Sequence, residues 1–333
     1  MKHLMNSTTR FLACALALTL LCTLCLTGLS ENNNGKNYTI AIGQFAEHPS
    51  LDNCRLGFLA GLADAGFVEG ENLTVEVQNA QSDMGTAALI ASNFAANPYD
   101  LICAIATPMA VCCYNSSEDT PVIYTAVSAP VEAGLAGEDG MGDGEITGTS
   151  DALPTALQLQ LIRAILPEAT RIGILYTIGE VNSQVQLAEY KSLAADYGFE
   201  IVEQGVTTGA DVSMAAAALV PEVDCLNMLT DNTVVQYLQV VLDEADDAGI
   251  PVFGSEIEQV VNGCIAAQGI DYFTLGKQTG AMAARVLRGE KASEIPFEVI
   301  RESQTYVNPT VCEKLHITLS NALADTAIDV TAQ

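Results

Sequence analysis

Short, continuous apolar runs alternate with stretches of helical length along this chain, in two successive series, and no other feature restricts its fold as strongly. The first series lies at 38–45 (YTIAIGQF), 73–79, 100–106 (DLICAIA) and 121–127 (PVIYTAV). The second lies at 171–177 (RIGILYT), 199–206, 223–229 (VDCLNML) and 251–254. Runs that are apolar at consecutive positions have no solvent face, so they predict strands covered on both sides, as in a parallel sheet between helices. The intervals have helical periodicity. In 232–249, Val234, Val235, Leu238, Val241, Leu242 and Ala245 form one stripe, with Asp243, Glu244, Asp246 and Asp247 largely opposite. Gly66, Gly198 and Gly249 stand where helices would stop.

Similar spacing in the two series predicts an α/β protein of two doubly wound, Rossmann-like lobes joined by a hinge. A Gly- and acid-rich segment at 134–144 precedes 146–151 (ITGTSD), where the first crossing between lobes is placed; a second is placed near 269–272 (GIDY). The predicted division gives 38–150 and about 273–294 to the first lobe, and 151–272 and about 295–320 to the second. The helix after the second crossing is predicted to pack back on the first lobe.

The amino terminus reads as an export signal over 1–29: Lys2 and Arg10 are basic, and an apolar stretch runs from Phe11 to Leu26. A polar linker at 30–37 follows. An uncleaved membrane anchor is the other reading, because the apolar run nearly reaches the ~20 residues that span a bilayer. Leu26-Thr27-Gly28 is lipobox-like, but Leu29 stands where the acylated cysteine belongs, so the segment is lipoprotein-like without a standard lipid site.

Without those residues the chain carries 11 basic against 41 acidic residues, a net charge of -30. Such a polyanion repels nucleic acid and anionic headgroups, which are bound through Lys and Arg, and it favours a soluble monomer. Seven cysteines remain: Cys54, Cys103, Cys112, Cys113, Cys225, Cys264 and Cys312. Seven is odd, which excludes a fully paired framework within one chain. Among these seven there is no C-x-x-C pair, and outside the signal the histidines are His48 and His316, so no metal or cofactor site is predicted.

Ligands of open α/β sheets bind at the carboxyl ends of the strands. Those ends carry Gln44, Phe45 and Glu47, then Thr107 and Pro108, then Ser128, and Ser150 and Asp151 at the crossing. The second series adds Tyr176, Glu180, Asn182 and Ser183, then Thr230, Asp231 and Asn232, then Ser255 and Glu256, and finally Asp271 and Tyr272. Each Ser, Thr, Asp or Asn could equally be a helix cap. No Gly-rich phosphate loop or G-x-S-x-G elbow follows a strand, and His48 reads as a solvated loop residue. Catalysis is not predicted, although Asp231 and Asp151 leave a carboxylate enzyme as an alternative.

The chain resembles the ABC-transporter substrate-binding proteins whose characterised members bind tryptophan, tyrosine or phenylalanine. The segments carrying the resemblance are 43–67 (GQFAEHPSLDNCRLGFLAGLADAGF), 79–83 (NAQSD), 104–110 (AIATPMA), 124–135 (YTAVSAPVEAGL), 146–151 (ITGTSD) and 173–186 (GILYTIGEVNSQVQ). They continue at 230–235 (TDNTVV), 251–287 and 306–309 (YVNP). The resemblance implies the type I periplasmic-binding-protein fold, permease and ATPase partners, and a small ligand between the lobes. An amino-acid ligand would place its carboxylate near Thr107 and Ser128, its ammonium at Asp231, Glu180 or Asp151, and its ring against Phe45, Tyr176 or Tyr272. The sequence departs from the family at Ala129, in 125–131 (TAVSAPV), where an aspartate is usual. A nucleoside or other small polar ring compound is the alternative ligand, and a ligand-sensing ectodomain the alternative role.

Overall fold

A computed structural model describes residues 36–300 and 302–332. The segment read as an export signal and most of the linker lie outside the described residues, among which no helix is long and apolar enough to cross a membrane.

The first half alternates β1 (Tyr38–Gln44), α1 (Pro49–Asp64), β2 (Leu73–Asn79), α2 (Met84–Ala95), β3 (Leu101–Ile105), α3 (Thr107–Ser116), β4 (Val122–Thr125) and β5 (Ile146–Ser150). The chain then crosses over and repeats the pattern with α4 (Thr155–Ile165), β6 (Arg171–Thr177), α5 (Val181–Leu193), β7 (Glu200–Val206), α6 (Val212–Leu219), β8 (Cys225–Asn227), α7 (Asn232–Gln236), α8 (Leu238–Ala248), β9 (Val252–Phe253), α9 (Ile257–Val261) and β10 (Ala266–Gly269). It returns through α10 (Tyr272–Leu287) and β11 (Glu298–Val299) and ends in β12 (Gln304–Val307), α11 (Pro309–Lys314), α12 (Asn321–Ala324) and β13 (Ile328–Asp329).

The two parallel sheets have one topology, and a small third sheet has the order β10-β12-β13. The first has the order β11-β5-β4-β3-β1-β2, with every neighbouring pair parallel. The second runs β7-β6-β8-β9 and continues into β10 through bonds from Ile265 N to Val252 O (2.8 Å) and Gly254 N to Ala266 O (2.9 Å). Strands 2-1-3-4-5 of one lobe therefore match 7-6-8-9-10 of the other. Helices cover both faces, which explains why Ile40, Ile42, Leu101 and Ile102 are all fully buried despite opposite pleat directions.

Four departures from the sequence reading are informative. Residues 146–150, read as a crossing, form the buried strand β5, whose Thr and Gly side chains hid it from an apolar count. Strand β10 (AAQG) was invisible for the same reason. The single helix expected at 232–249 breaks at Tyr237, whose ring lies where a Cβ on Gly209 would stand. The stretch after Ile295 was assigned to the second lobe, yet β11 pairs with β5 (Glu298 with Thr149, Val299 with Ser150), and Ile300 N donates to Ser150 O at 3.2 Å. The third crossing therefore falls between Ile300 and Gln304.

Helices α1 and α10 pack with their backbones in contact. A Cβ on Gly57 would lie 2.0 Å from Phe273 O, and one on Gly61 2.3 Å from Lys277 O. On the partner helix, a Cβ on Gly276 would lie 2.0 Å from Cys54 O, and one on Gly280 2.3 Å from Phe58 O. Two glycines one turn apart on each helix thus permit an approach that no side chain allows. Beneath them, Thr279 Oγ1 bonds Thr149 Oγ1 (2.7 Å) and Thr125 Oγ1 (2.9 Å), tying α10 to β4 and β5. Replacing Gly276 by Ala is predicted to destabilise the protein by about 1–3 kcal/mol or more, the usual cost of overpacking. Calorimetric melting would measure it, with exposed Gly289→Ser, a change at positive φ with open space around it, as a milder control.

Candidate functional site

Parallel strands with one topology end on one side, so both sheets deliver their following loops to a shared gap. That gap is closed. Ser128 Oγ lies 3.0 Å from Thr230 Oγ1 and accepts from Gln186 Nε2 at 2.9 Å. Ser82 Oγ donates to Gln236 Oε1 (2.8 Å), Asn53 Nδ2 donates to Glu258 Oε1 (2.8 Å), and Ser50 Oγ reaches the carboxylates of Glu256 and Glu258.

The predicted site residues divide into three groups. Some are committed to the fold. Asp231 caps α7 and accepts from Val234 N (2.8 Å), Thr177 N (2.5 Å), Thr177 Oγ1 (2.7 Å) and Ser183 Oγ (2.7 Å). Glu180 accepts from Asn232 N (3.0 Å), Asn232 Nδ2 (2.7 Å), Thr233 N (3.0 Å), Thr233 Oγ1 (2.9 Å) and Asn182 Nδ2 (3.2 Å). Every oxygen of both acids is held by the second lobe's own donors. Asp271 is an exposed cap that accepts from Phe273 N at 2.9 Å. Phe45 belongs to the first core, and Tyr176 packs on the core of the second lobe.

A second group shapes the cleft wall. Gln44 is buried, donating to Ala46 O (2.8 Å) and Asp52 Oδ1 (3.0 Å) and accepting from Arg55 Nε (3.1 Å). Glu47 is exposed at the rim, accepting from Gln81 Nε2 at 3.2 Å. Ser150 Oγ donates to Ser128 O at 3.3 Å. Pro108 is buried at the start of α3, just after Ala106, whose φ of 79° and ψ of 151° lie in a region normally confined to glycine.

The third group holds buried polar atoms that have no protein partner: Thr107 Oγ1, Asp151 Oδ1, Asn182 Oδ1, both ring nitrogens of His48, and Gln259 Nε2. Among the described residues, Tyr124 OH is the remaining one, and all the others come from the strand-end segments. Each such atom costs about 1–3 kcal/mol when buried unpaired, so the closed gap is poised for a polar occupant. Asp151 is 2% exposed; its Oδ2 accepts from Tyr272 OH at 2.6 Å, and burial raises its pKa. Among the described residues no lysine or arginine is buried, so the buried acids of the cleft have no buried lysine or arginine opposite them.

His48, read as a solvated loop residue, is only 6% exposed, because α1 carries it against the second lobe. Ser50, Gln186, Glu258 and Gln259 went unnoticed in the sequence. Gln186 and Gln259 lie three residues beyond Ser183 and Glu256, on the same helical face, which is the signal that would have found them.

Two like lobes closed over a polar gap define a bilobal small-molecule binder. The chain belongs to the family of ABC transporter substrate-binding proteins, whose sequence model matches residues 39–331. It is 38% identical over 302 residues to a tyrosine-binding protein of Clostridioides difficile (strain R20291), covering 87% of this chain and 88% of that one. Among solved structures, it resembles an ABC domain from Streptococcus pneumonia in complex with L-Trp, with TM-score 0.85 and 30% identity over 88% of this chain and 99% of that one. A ligand-free, open substrate-binding protein with adhesive properties from Clostridium difficile is 38% identical over the same shares, yet its TM-score is 0.66. The closer sequence has the less similar shape, so the lobes here are set nearer to those of the L-Trp complex than to those of the open form. The fold is thus the type I periplasmic-binding-protein fold, and the chain is the extracytoplasmic component that captures a small substrate for an ABC permease and its ATPase, without chemistry of its own.

The buried acids make stability depend on pH. Burial, then the neighbouring charge of Asp231, pushes Glu180 up from 4.5 to about 7. The folded state therefore binds a proton there that the unfolded state has released. This contribution is fully present below pH 4.5 and is lost as pH rises through about 7. The ligand-free protein is predicted to melt at a higher temperature at pH 5 than at pH 8, and Glu180→Gln to shrink that difference. A melting temperature independent of pH across this range would contradict the assignment.

Proposed function

We propose that the protein captures a free aromatic amino acid between its lobes, with the ammonium at Asp151 and the carboxylate at the amino end of α3 beside Thr107. The carrying observation is the buried, unpartnered Asp151 Oδ1 in a cleft with no buried lysine or arginine. An ionised carboxylate there needs a cation, and only the ligand can bring it. An amino acid does so and a nucleoside does not. The amino end of α3, with the unpaired Thr107 hydroxyl, suits an anion through the helix dipole. Ala129 is buried next to Ser128, and Asp151 takes the charge role of the acid usual at that position. The relatives' names agree with this reading, since one is a tyrosine-binding protein and another holds L-Trp. The chain works as a monomer, and its export involves no acylation at Leu29.

Titration calorimetry with phenylalanine, tyrosine and tryptophan, each beside its N-acetyl form, tests the proposal. The free amino acids are predicted to bind and the blocked ones to bind far more weakly. Asp151→Asn should cost about 2–5 kcal/mol of affinity, the usual penalty for breaking a buried charge pair. Equal binding of blocked and free forms, or binding of nucleosides alone, would sink the reading.

A further inference from the structure

We propose that Glu256, Ser50 and Glu258 form a proton-sharing clasp between the lobes, so that the cleft takes up a proton from solvent as it closes and returns it on opening. The clasp rests on closure and not on the identity of the ligand; the amino-acid reading enters only through one probe of the test.

The contact joins the first turn of α1, in the first lobe, to the start of α9 in the second. Glu256 holds the cap position of α9, yet its side chain makes no capping bond and meets Ser50 across the gap instead. Ser50 Oγ also lies 3.2 Å from Glu258 Oε2, and Glu258 Oε1 accepts from Asn53 Nδ2 at 2.8 Å. Ser50 and Glu256 are 1% and 2% exposed. A serine hydroxyl carries one hydrogen, so it can serve only one of the two carboxylates that flank it. The other contact would be oxygen against oxygen with no hydrogen between them. One further proton completes the chain: Glu256 O–H donates to Ser50 Oγ, and Ser50 O–H donates to Glu258. Glu258 is the better seat for the charge, because it is half-buried and already accepts from Asn53.

The surroundings favour that proton. Glu256 faces Glu258 and Gln259 from its own helix and Asp151 from the end of β5, while Cys264 and the Tyr272 hydroxyl of α10 respond to its charge. The bases of the adjoining helices are engaged elsewhere, Arg55 with Gln44 (3.1 Å) and Asp52 (3.5 Å), and Lys277 with Asp64 (2.8 Å). Burial first, then the charges of Glu258 and Asp151, raises the Glu256 pKa from 4.5 to about 8, against the pull of the Ser50 bond. Opening uncovers the carboxyl and lets it return toward 4.5. The clasp therefore stabilises the closed form fully below pH 4.5, and this contribution is lost as pH rises through about 8.

Two measurements test the clasp. Calorimetry of L-tyrosine binding at pH 7, in buffers of different ionisation enthalpy, should show an uptake of roughly one proton per bound molecule. Glu256→Gln, a permanent stand-in for the protonated acid, should lose that uptake and no longer lose affinity as pH rises from 6 to 8.5. Ser50→Ala should weaken binding and reduce the uptake. The second measurement needs no ligand. Ser128 and Thr230, whose hydroxyls lie 3.0 Å apart across the gap, are both replaced by Cys and oxidised to hold the lobes together. The infrared spectrum of this locked protein at pH 7 should contain a protonated-carboxyl band that Glu256→Gln removes and that reducing the lock diminishes. Proton uptake unchanged in Glu256→Gln, or a locked protein without that band, overturns the clasp and leaves the amino-acid reading intact. If no free aromatic amino acid binds, that reading falls, and the locked protein alone decides the clasp.

Discussion

The contact between α1 and α10 decides where the site's parts stand. α10 is the first element after the chain returns from the second lobe, and its four-glycine seam with α1 lets the two backbones touch. Both helices start at the cleft, one at Pro49 and the other at Tyr272. Their close packing puts His48 and Ser50 on one side of the gap and the Tyr272 hydroxyl, bonded to Asp151, on another. A shift of even one carbon's width along this seam would move both helix starts together. Because α10 is also bonded through Thr279 to β4 and β5, the strands that end at Ser128 and Asp151 would move with them. The seam begins one turn from Tyr272 and so sets where these first-lobe groups stand at the gap.

The second constraint is electrostatic. Asp151, Glu180, Asp231 and Glu256 are all buried around one cleft, and burial raises the pKa of each. In a fold built for stability alone, that many desolvated acids would bring buried bases with them. Glu180 and Asp231 solve the problem locally by collecting backbone and side-chain donors, which at the same time pins the amino end of α7 to the loop after β6. Glu256 is bonded across the gap to Ser50, a contact that exists only while the lobes are together. Asp151 keeps one oxygen bare. The acids thus separate into those that build the wall, one that clasps the lobes, and one that still has an unmet charge.

The architecture was largely legible because parallel strands buried on both faces leave unbroken apolar runs, and the eight runs named from sequence all contain strands. Strands built from Thr, Gly, Ala and Gln, such as β5 and β10, were missed because their burial comes from topology and not from side-chain hydrophobicity. The site was legible as a set of segments but not as a set of roles. Asp231, Glu180 and Asp271 are the same residue types as Asp151, and only hydrogen-bond geometry shows that the first three are occupied by protein donors. His48 was misread for a related reason: a histidine before a proline is usually solvated, and nothing local indicates that the opposite lobe will cover it.

The closed arrangement itself can be argued from these costs. Closure forms a few neutral contacts, among them Ser128 with Thr230 and Ser82 with Gln236. Against them stand the desolvation of Asp151 and the unpaired atoms of Thr107, Asn182, His48 and Gln259. Neutral hydrogen bonds contribute about 0.5–1.5 kcal/mol net apiece, whereas an orphaned buried group costs about 1–3. An empty closed cleft is therefore a poor resting state, and water entering an open gap would satisfy the same atoms at once. A ligand that supplies a cation at Asp151 and partners for the remaining groups reverses the balance, since it interacts far better with the closed form than with the open one. Three covalent crossings keep the lobes aligned throughout, so the motion between the two states reduces to a hinge. The unpaired atoms of the closed cleft thus make closure depend on a polar occupant.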